Sequence, residues 1–301
     1  MRHRTPHALV ADRARGVMLG LAVGDALGAA LEWDHPDQIV ARYGGPLRDM
    51  VASKIWQLGE WTDDTAMAVA LAESLAERPG YDEGDVLARY LVWSRSDPKD
   101  IGATVRHALA RARCPEDARR AAAEWHELTD GHSAGNGSLM RTAPIGIRFR
   151  NDRGAIERIS RAESSLTHHD PLAGDACVLL NLTIAELLVG RPPPSSSSQV
   201  GRVAADARAL TAEQLMDPVQ RQIGYVLTTL RVAFWAALSA ATFEQAIVSA
   251  ANLGGDADTN AAVAGALAGG RFGASQIPQR WLEPLLARDH ISGLATRLLR
   301  E

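Results

Sequence analysis

The sequence has few cysteines, no excess of basic residues and no long apolar run, and each lack excludes a class of protein. Its 301 residues include only Cys114 and Cys177 and no Cys-x-x-Cys pattern. We therefore expect neither a disulfide framework nor a zinc site, and a reduced, cytoplasmic location fits best. The formal net charge of −4 gives no sign of a nucleic-acid partner. No uncharged apolar run reaches about 18 residues, so no membrane span is expected.

Patterns typical of helices run through most of the chain. The apolar run 17–23 follows several arginines, as in a signal peptide, but Asp25 interrupts it and favours a buried helix instead. Apolar residues recur at three- and four-residue spacing in segments 66–77, 86–94, 103–113, 115–127, 156–164, 172–189, 222–238 and 243–251. Alanine is abundant, and its high helix propensity and small volume favour closely packed helices. The sequence predicts an all-α protein.

One segment breaks the helical pattern clearly. Residues 191–198 read Arg-Pro-Pro-Pro-Ser-Ser-Ser-Ser and cannot continue the helix that ends near Val189. A domain linker is possible, but a surface loop at 192–201 is preferred, because two acidic segments on either side of it are expected to meet. We predict one domain over residues 16–301, preceded by an N-terminal extension, 1–15, and we expect a monomer.

The two acidic segments each precede an alanine-rich helical run. Residues 61–65 read Trp-Thr-Asp-Asp-Thr, and residues 254–260 read Gly-Gly-Asp-Ala-Asp-Thr-Asn. Carboxylate and hydroxyl oxygens are hard ligands that suit Mg²⁺ or Mn²⁺, and each segment alone offers too few of them for a pair of dications. Together they would suffice, so the pairing suggests a two-metal centre.

Helix capping is the simpler interpretation of either segment, because aspartate and threonine are preferred residues at helix starts. A cap, however, needs one carboxylate and not two. Gly254 and Gly255 also permit a sharp turn that would aim alternate side chains at one point. The second segment therefore favours the metal hypothesis.

Further candidates also have a structural alternative. Glu32 is either a general base or metal-gating ligand, or a surface glutamate at a helix end. Asp100 precedes a predicted helix and can be its N-cap. The loop 133–141 has glycines and small polar residues that can cradle phosphate, with Arg141 adding a charge, yet the same composition fits an ordinary turn. Of the adjacent His168 and His169, at most one is expected to contact a ligand.

In chain order these motifs resemble those of the ADP-ribosylglycohydrolase family, most closely its dinitrogenase reductase-activating glycohydrolase branch. The resemblance runs from residue 16 to about residue 281. The motifs that carry it are Gly-Asp-Ala-Leu-Gly at 24–28 followed by Glu32, the two acidic segments, Asp-Ile-Gly at 100–102, Gly-Asn-Gly-Ser-Leu-Met-Arg at 135–141 and Leu-Thr-His at 166–168.

The resemblance implies a compact single-domain orthogonal helical bundle with a dinuclear metal cleft holding two divalent cations, Mg²⁺ or Mn²⁺. One ion would be served by Thr62, Asp63 and Asp64. The other would be served by Asp256 and Thr259, with Asp258 placed to bridge the two. Glu32 matches the acid that gates the site or activates water.

The resemblance also implies a substrate. Asp100 matches an aspartate that faces the scissile ribose and a guanidinium, which favours hydrolysis of ADP-ribosylated arginine on a protein. Residues implied to contact the rest of the ADP-ribose are Gly102, Ser133, Gly135, Asn136, Gly137, Ser138, Arg141 and His168, with Tyr225 stacking on adenine or, alternatively, lying in the core. Hydrolysis of serine-linked or O-acyl ADP-ribose, or of another ADP-ribosyl small molecule, and a non-catalytic ADP-ribose-binding protein stay open as alternatives.

Overall fold

The predicted all-α class is confirmed in a computed structural model, which describes residues 6–193, 198–207 and 209–300. Over these residues the chain forms helices and no β-strand, with a single bridge between Gly135 and Tyr225. The helices are α1 (Pro6–Gly28), α2 (Pro36–Tyr43), α3 (Asp63–Glu77), α4 (Glu83–Ser94), α5 (Ala103–Ala110), α6 (Pro115–Leu128), α7 (Ala143–Arg148), α8 (Arg153–Ser165), α9 (Pro171–Leu188), α10 (Gln199–Ala207), α11 (Ala212–Arg221), α12 (Val226–Ser239), α13 (Phe243–Ala251), α14 (Ala257–Phe272), α15 (Gln279–Leu282) and α16 (Arg288–Arg297), with a 3₁₀-helix at Ala274–Gln276.

Several predicted boundaries differ from the structure. Helix α1 begins at Pro6 and so crosses the predicted boundary between the extension 1–15 and the domain, while residues 1–5 lie outside the described residues. Of the predicted loop 192–201, residues 194–197 also lie outside them, and the loop prediction is wrong from Gln199, where α10 begins. The helix predicted over 222–238 starts only at Val226, because Gly224 has a φ of 78° and interrupts it.

Helices α1 and α14 pack backbone against backbone in the centre of the core. Small residues face one another at four-residue spacing, which places them on one face of each helix. On α1 these are Gly16, Gly20, Gly24 and Gly28, and opposite them on α14 are Gly269, Gly265, Ala261 and Ala257. A Cβ atom on any of the four α1 glycines would overlap the α14 backbone. This close approach brings the end of α1 to the start of α14, where the second acidic segment lies.

The end of α1 also positions α3. Asp25, fully buried in α1, accepts hydrogen bonds from the backbone N–H groups of Thr62 (2.9 Å) and Thr65 (3.0 Å). It also accepts one from the Thr65 hydroxyl (2.6 Å). Asp25 therefore satisfies N–H groups at the start of α3 from a neighbouring helix. The ends of α1, α3 and α14 thus meet at one place.

One described helix, α9, is long and apolar enough by length and composition to cross a membrane. However, 78% of its apolar segment is buried inside the protein. Its buried Asn181 side chain also accepts from the N–H of Gly146 (3.0 Å) and donates to Thr142 (2.8 Å). These contacts are those of a core helix.

Candidate metal centre and substrate cleft

The two acidic segments lie side by side in the folded chain. The Thr259 hydroxyl donates a hydrogen bond to Asp64 Oδ2 (3.2 Å), although the two residues are 195 positions apart in sequence. The Thr62 hydroxyl lies 3.4 Å from the same oxygen. The start of α3 and the start of α14 therefore contribute oxygen atoms to a single cluster, as the metal hypothesis requires.

The carboxylates of this cluster are buried close together, so the ionised form of each is disfavoured by loss of solvent and by the like charges of its neighbours. Asp63, Asp64 and Asp258 are 7%, 1% and 2% exposed. Burial, followed by neighbouring carboxylates, raises the pKa of Asp63 to about 7 and raises the pKa of Asp64 and of Asp258 well above the usual range.

The donor atoms fit a divalent cation. Asp64 Oδ1 is buried and has no hydrogen-bond partner among the described residues. Buried polar atoms are normally paired, so an unpaired carboxylate oxygen beside other carboxylates indicates a ligand for a cation. The cluster consists of hard oxygen donors, which suit Mg²⁺ or Mn²⁺.

Two glycines tie the Glu32 loop to the second acidic segment. Gly254 and Gly255 have φ values of 68° and 67°. The N–H of Trp33 donates to Gly255 O (2.7 Å), and the N–H of Gly255 donates to Asp34 O (2.9 Å). A Cβ atom on Gly254 would overlap that same Asp34 carbonyl. Glycine is therefore needed for both backbone angle and close approach, and the pairing holds Glu32 beside the acidic cluster.

A cleft of about 450 Å³ is lined by Glu32 and by four residues of the two acidic segments, Asp63, Asp256, Asp258 and Thr259. One carboxylate oxygen from each of Glu32, Asp100 and Asp258 lies within 4.8 Å of the others. Burial, and then the charges of Asp100 and other acids, raise the pKa of Glu32 to about 8. No Lys or Arg is found among the described residues that line the cleft. The site is thus strongly acidic and suited to cations.

A second cavity continues the cleft at one end. It measures about 500 Å³ and shares Thr104, Gly135, Ile223 and Gly224 with the cleft. Tyr225 and Ser133 line it, although the Ser133 hydroxyl already lies 2.6 Å from His126 Nδ1. An elongated space therefore runs from the acidic cluster to Tyr225, which is the side chain predicted to stack on a base.

Five residues predicted to bind substrate line the cleft itself: Gly102, Gly135, Asn136, Gly137 and His168. The N–H of Gly102 donates to Asp63 Oδ2 (3.3 Å). The Asn136 amide donates to Asp256 Oδ2 (2.6 Å) and to the Thr229 hydroxyl (2.8 Å). Gly102 and Asn136 thus orient carboxylates of the two acidic segments. The sequence patterns around these two residues did not indicate this role.

Two other predicted contacts, Ser138 and Arg141, do not reach the cleft. Both side chains are fully buried and line neither cavity. Ser138 accepts from the Ser164 hydroxyl (2.8 Å), and Arg141 pairs with the buried carboxylate of Glu163 (2.6 Å). A buried guanidinium needs such a partner, which directs Arg141 into the core. The prediction of direct substrate contact is therefore corrected at both positions.

Arg141 acts instead on His168, which lines the cleft. Burial and the Arg141 charge lower the pKa of His168 to about 3, so its imidazole is neutral. Arg141 donates to the Thr167 hydroxyl (2.9 Å), which lies 2.8 Å from His168 Nδ1. Among the described residues Nδ1 is the acceptor available to the Thr167 O–H, so we infer that this O–H donates to Nδ1. The remaining proton of His168 is then on Nε2.

Asp25 was missed as a site residue. The sequence did contain an indication of its importance, because Asp25 is a lone carboxylate among the apolar and small residues of α1. Burial raises its pKa to about 6. Its partners, Thr62 and Thr65, belong to the first acidic segment, so Asp25 holds that segment in position.

We expect the Asp63→Asn variant to gain stability relative to the metal-free wild type as the pH rises from about 5 to about 8. Folding raises the pKa of Asp63 to about 7. The stability contributed by such a carboxyl is fully present below its unfolded pKa and is lost as the pH rises through its folded pKa. The asparagine variant has no such loss, and its advantage at pH 8 should be on the order of 2 kcal/mol.

The measurement is urea unfolding of both proteins in chelator across this pH range. Excess Mg²⁺ at pH 8 should reverse the advantage, because the cation stabilises the wild-type carboxylate cluster. A difference in unfolding free energy that stays constant with pH would contradict the expectation.

The chain is similar to known proteins in both sequence and structure. The family model described as ADP-ribosylglycohydrolase matches residues 6–301. The chain is 34% identical to the ADP-ribosylarginine hydrolase Tri1 of Serratia proteamaculans, over 97% of this chain and 80% of the relative. It is 33% identical to the ADP-ribosyl-[dinitrogen reductase] glycohydrolase of Rhodospirillum rubrum, over 92% of this chain and 91% of the relative. A solved structure titled ADP-ribosylglycohydrolase-related protein complex aligns with a TM-score of 0.76 at 34% identity, over 97% of this chain and 98% of the other.

Proposed function

Because the chain belongs to the ADP-ribosylglycohydrolase family and is an ADP-ribosyl glycohydrolase, we propose that it removes ADP-ribose from arginine on protein substrates with the help of two divalent cations. The proposal rests on the meeting of both acidic segments beside one cleft, where the buried Asp64 Oδ1 has no hydrogen-bond partner among the described residues. The names of two relatives support the arginine linkage and the protein substrate.

The residues that would hold the cations are those at the two helix starts. Thr62, Asp63 and Asp64 at the start of α3, and Asp256, Asp258 and Thr259 at the start of α14, would supply the oxygen ligands. When bound, Mg²⁺ or Mn²⁺ would orient the hydroxyls of the ribose next to the scissile bond and lower the pKa of water. Gly102 and Asn136 keep the carboxylates of Asp63 and Asp256 in place through the hydrogen bonds described above.

Glu32 is the residue that accepts the proton. In hydrolysis the oxygen of water bonds to C1 of the ribose, and the C1–N bond breaks with its electron pair going to the leaving guanidine. The water proton passes to a Glu32 carboxylate oxygen, which lies in the same cluster of oxygens as Asp100 and Asp258. The guanidine leaves as the arginine guanidinium once it has taken up a proton.

Asp100 is the residue that recognises arginine. A carboxylate pairs with the fork of guanidinium N–H donors, and Asp100 provides one within 4.8 Å of Glu32. The remaining ADP-ribose extends along the second cavity toward Tyr225, and the Nε2–H of His168 is available to donate to it from the cleft wall.

The experiment is hydrolysis of a protein ADP-ribosylated on arginine, with and without chelator. We expect release of ADP-ribose that stops in chelator and resumes with excess Mg²⁺ or Mn²⁺. Serine-linked and O-acyl ADP-ribose are assayed in parallel. No release with saturating cation, or release that chelator does not affect, would refute the proposal.

The Asp100→Ala variant should lose about 10²-fold in kcat/KM for arginine-linked substrate, the effect of losing a charged hydrogen bond. Release from serine-linked or O-acyl substrate, where wild type shows any, should change little because those leaving groups have no guanidinium. Asp97→Asn is the matched control, since Asp97 lies in the same loop, is exposed and lines a separate surface depression. If Asp100→Ala hydrolysed arginine-linked substrate about as fast as wild type, Asp100 would not be the residue that recognises arginine.

A further inference from the structure

Trp33 combines an unfavourable backbone with an exposed side chain. Its φ is 67°, in the left-handed region that bulky residues rarely adopt, and its side chain is 69% exposed. Burial of the indole therefore contributes little free energy to offset the unfavourable backbone conformation. The hydrogen bond from its N–H to Gly255 O fixes the conformation. Strain that is held in place beside a reactive site indicates a function for the side chain.

Trp33 stands between two spaces. With Glu32 it lines both the acidic cleft and an outer groove of about 740 Å³. The outer groove shares no lining residue with the cavity that contains Tyr225. The acidic cleft thus opens to the Tyr225 cavity through one set of residues and to the outer groove through another. If ADP-ribose occupies the cleft and the Tyr225 cavity, its leaving group is directed past Glu32 and Trp33.

The chemistry at this junction suits a planar cation. Asp100 and Glu32 supply carboxylates, and no Lys or Arg lies among the described cleft-lining residues to compete for them. An aromatic face attracts a guanidinium and stacks on its plane, whereas a carboxylate binds its edge. The other indole of the outer groove, Trp56, is buried and already has the Lys99 ammonium 5.2 Å from its ring centre. Trp33 is the exposed indole at the junction.

We propose that Trp33 is a specificity-determining residue whose indole holds the guanidinium of the modified arginine opposite Asp100, and that the outer groove takes the adjoining polypeptide. The inference rests on the proposed arginine specificity and adds to it the residue and the surface that receive the protein part of the substrate.

The Trp33→Asn variant tests the indole. Asparagine tolerates the left-handed backbone, so the variant removes the ring and relieves strain together. We expect Tm to rise by about 2 °C. We expect kcat/KM for arginine-linked substrate to fall about 10-fold, mainly through KM, as for loss of a cation–π contact. The dissociation constant of free ADP-ribose, which has no guanidinium, should stay within about twofold. Trp33→Phe should retain most of the activity.

Ala287→Asn is the matched control, because Ala287 also has a positive φ (56°), is exposed and lines none of the three spaces. It should raise Tm without changing activity. Equal losses of arginine-linked activity and ADP-ribose affinity in Trp33→Asn would mean that Trp33 only supports the Glu32 loop, and unchanged activity would mean that the indole has no role. Either result overturns the proposal.

The groove is tested with Ile55→Asp. Ile55 is 61% exposed and lines the outer groove but not the cleft. We expect kcat/KM for an ADP-ribosylated protein to fall about fivefold while free ADP-ribosyl-arginine is hydrolysed as by wild type. Equal effects on the two substrates, or none, would overturn the groove assignment. Wild-type protein that binds ADP-ribose yet hydrolyses neither substrate would instead refute the proposed function, and the Trp33 role with it.

Discussion

The Asp258→Asn variant is expected to lose at least about 10³-fold in kcat and to bind divalent cations weakly. Asp258 is 2% exposed, and one of its oxygens lies within 4.8 Å of oxygens from Glu32 and Asp100. Its Oδ1 accepts from the Thr259 N–H (2.8 Å), which fixes the side chain at the start of α14. Asparagine keeps the shape but removes the charge that would be shared between two cations.

The same variant should be more stable than the wild type when both are free of metal. Burial and neighbouring acids raise the pKa of Asp258 well above its usual range, so ionised Asp258 opposes folding at neutral pH. Loss of activity together with higher stability cannot be explained by misfolding. Calorimetric titration with Mn²⁺, kcat measurements and urea unfolding in chelator provide the three readouts.

Asp175→Asn is the control, because Asp175 is a partly exposed carboxylate paired with Arg161 on the surface. It should change neither kcat nor cation affinity. Wild-type turnover by Asp258→Asn at low cation concentration would contradict the role assigned to Asp258.

The Gly24→Ala variant is expected to destabilise the fold by about 3 kcal/mol or more, because overpacking forces backbone to move. A Cβ atom at Gly24 would overlap the carbonyl of Ala261 in α14, and neither backbone can turn away as a flexible side chain would. Separation of α1 from α14 would also move Glu32 relative to Asp256. We therefore expect weaker cation binding in the fraction that folds.

Gly293→Ala provides the control for replacing a helical glycine. Gly293 lies within α16 and has no atom within 4 Å of the position of an added Cβ. This change should stabilise the protein by up to about 1 kcal/mol. Chemical denaturation of both variants and calorimetric cation binding test the prediction. A Gly24→Ala variant with wild-type unfolding and wild-type cation affinity would show that the two helices do not pack as closely as described.

The fold class followed from the sequence because helical periodicity and alanine content act locally. The meeting of the two acidic segments followed from chemistry, since neither offers enough ligands alone. The predicted start of the domain at residue 16 differed because α1 begins at Pro6 and continues through that position without interruption. The predicted helix over 222–238 differed because Gly224 interrupts the segment that periodicity alone joins to α12.

Side-chain direction inside the loop 135–141 could not be predicted from its composition. Asn136 orients Asp256, whereas Arg141 points into the core toward Glu163, and both depend on partners from distant segments. The contact of Asp25 with the start of α3 joins residues 37 positions apart. The backbone angle of Trp33 is likewise set by its hydrogen bond to Gly255, which no local pattern shows.

Anomalous diffraction at the manganese edge, from crystals grown with Mn²⁺, would locate cations bound between the two acidic segments. We expect two peaks between the start of α3 and the start of α14, about 4 Å apart, with contacts to oxygens of Asp64 and Asp258. The absence of peaks there at saturating Mn²⁺, or peaks only at other positions, would contradict this expectation.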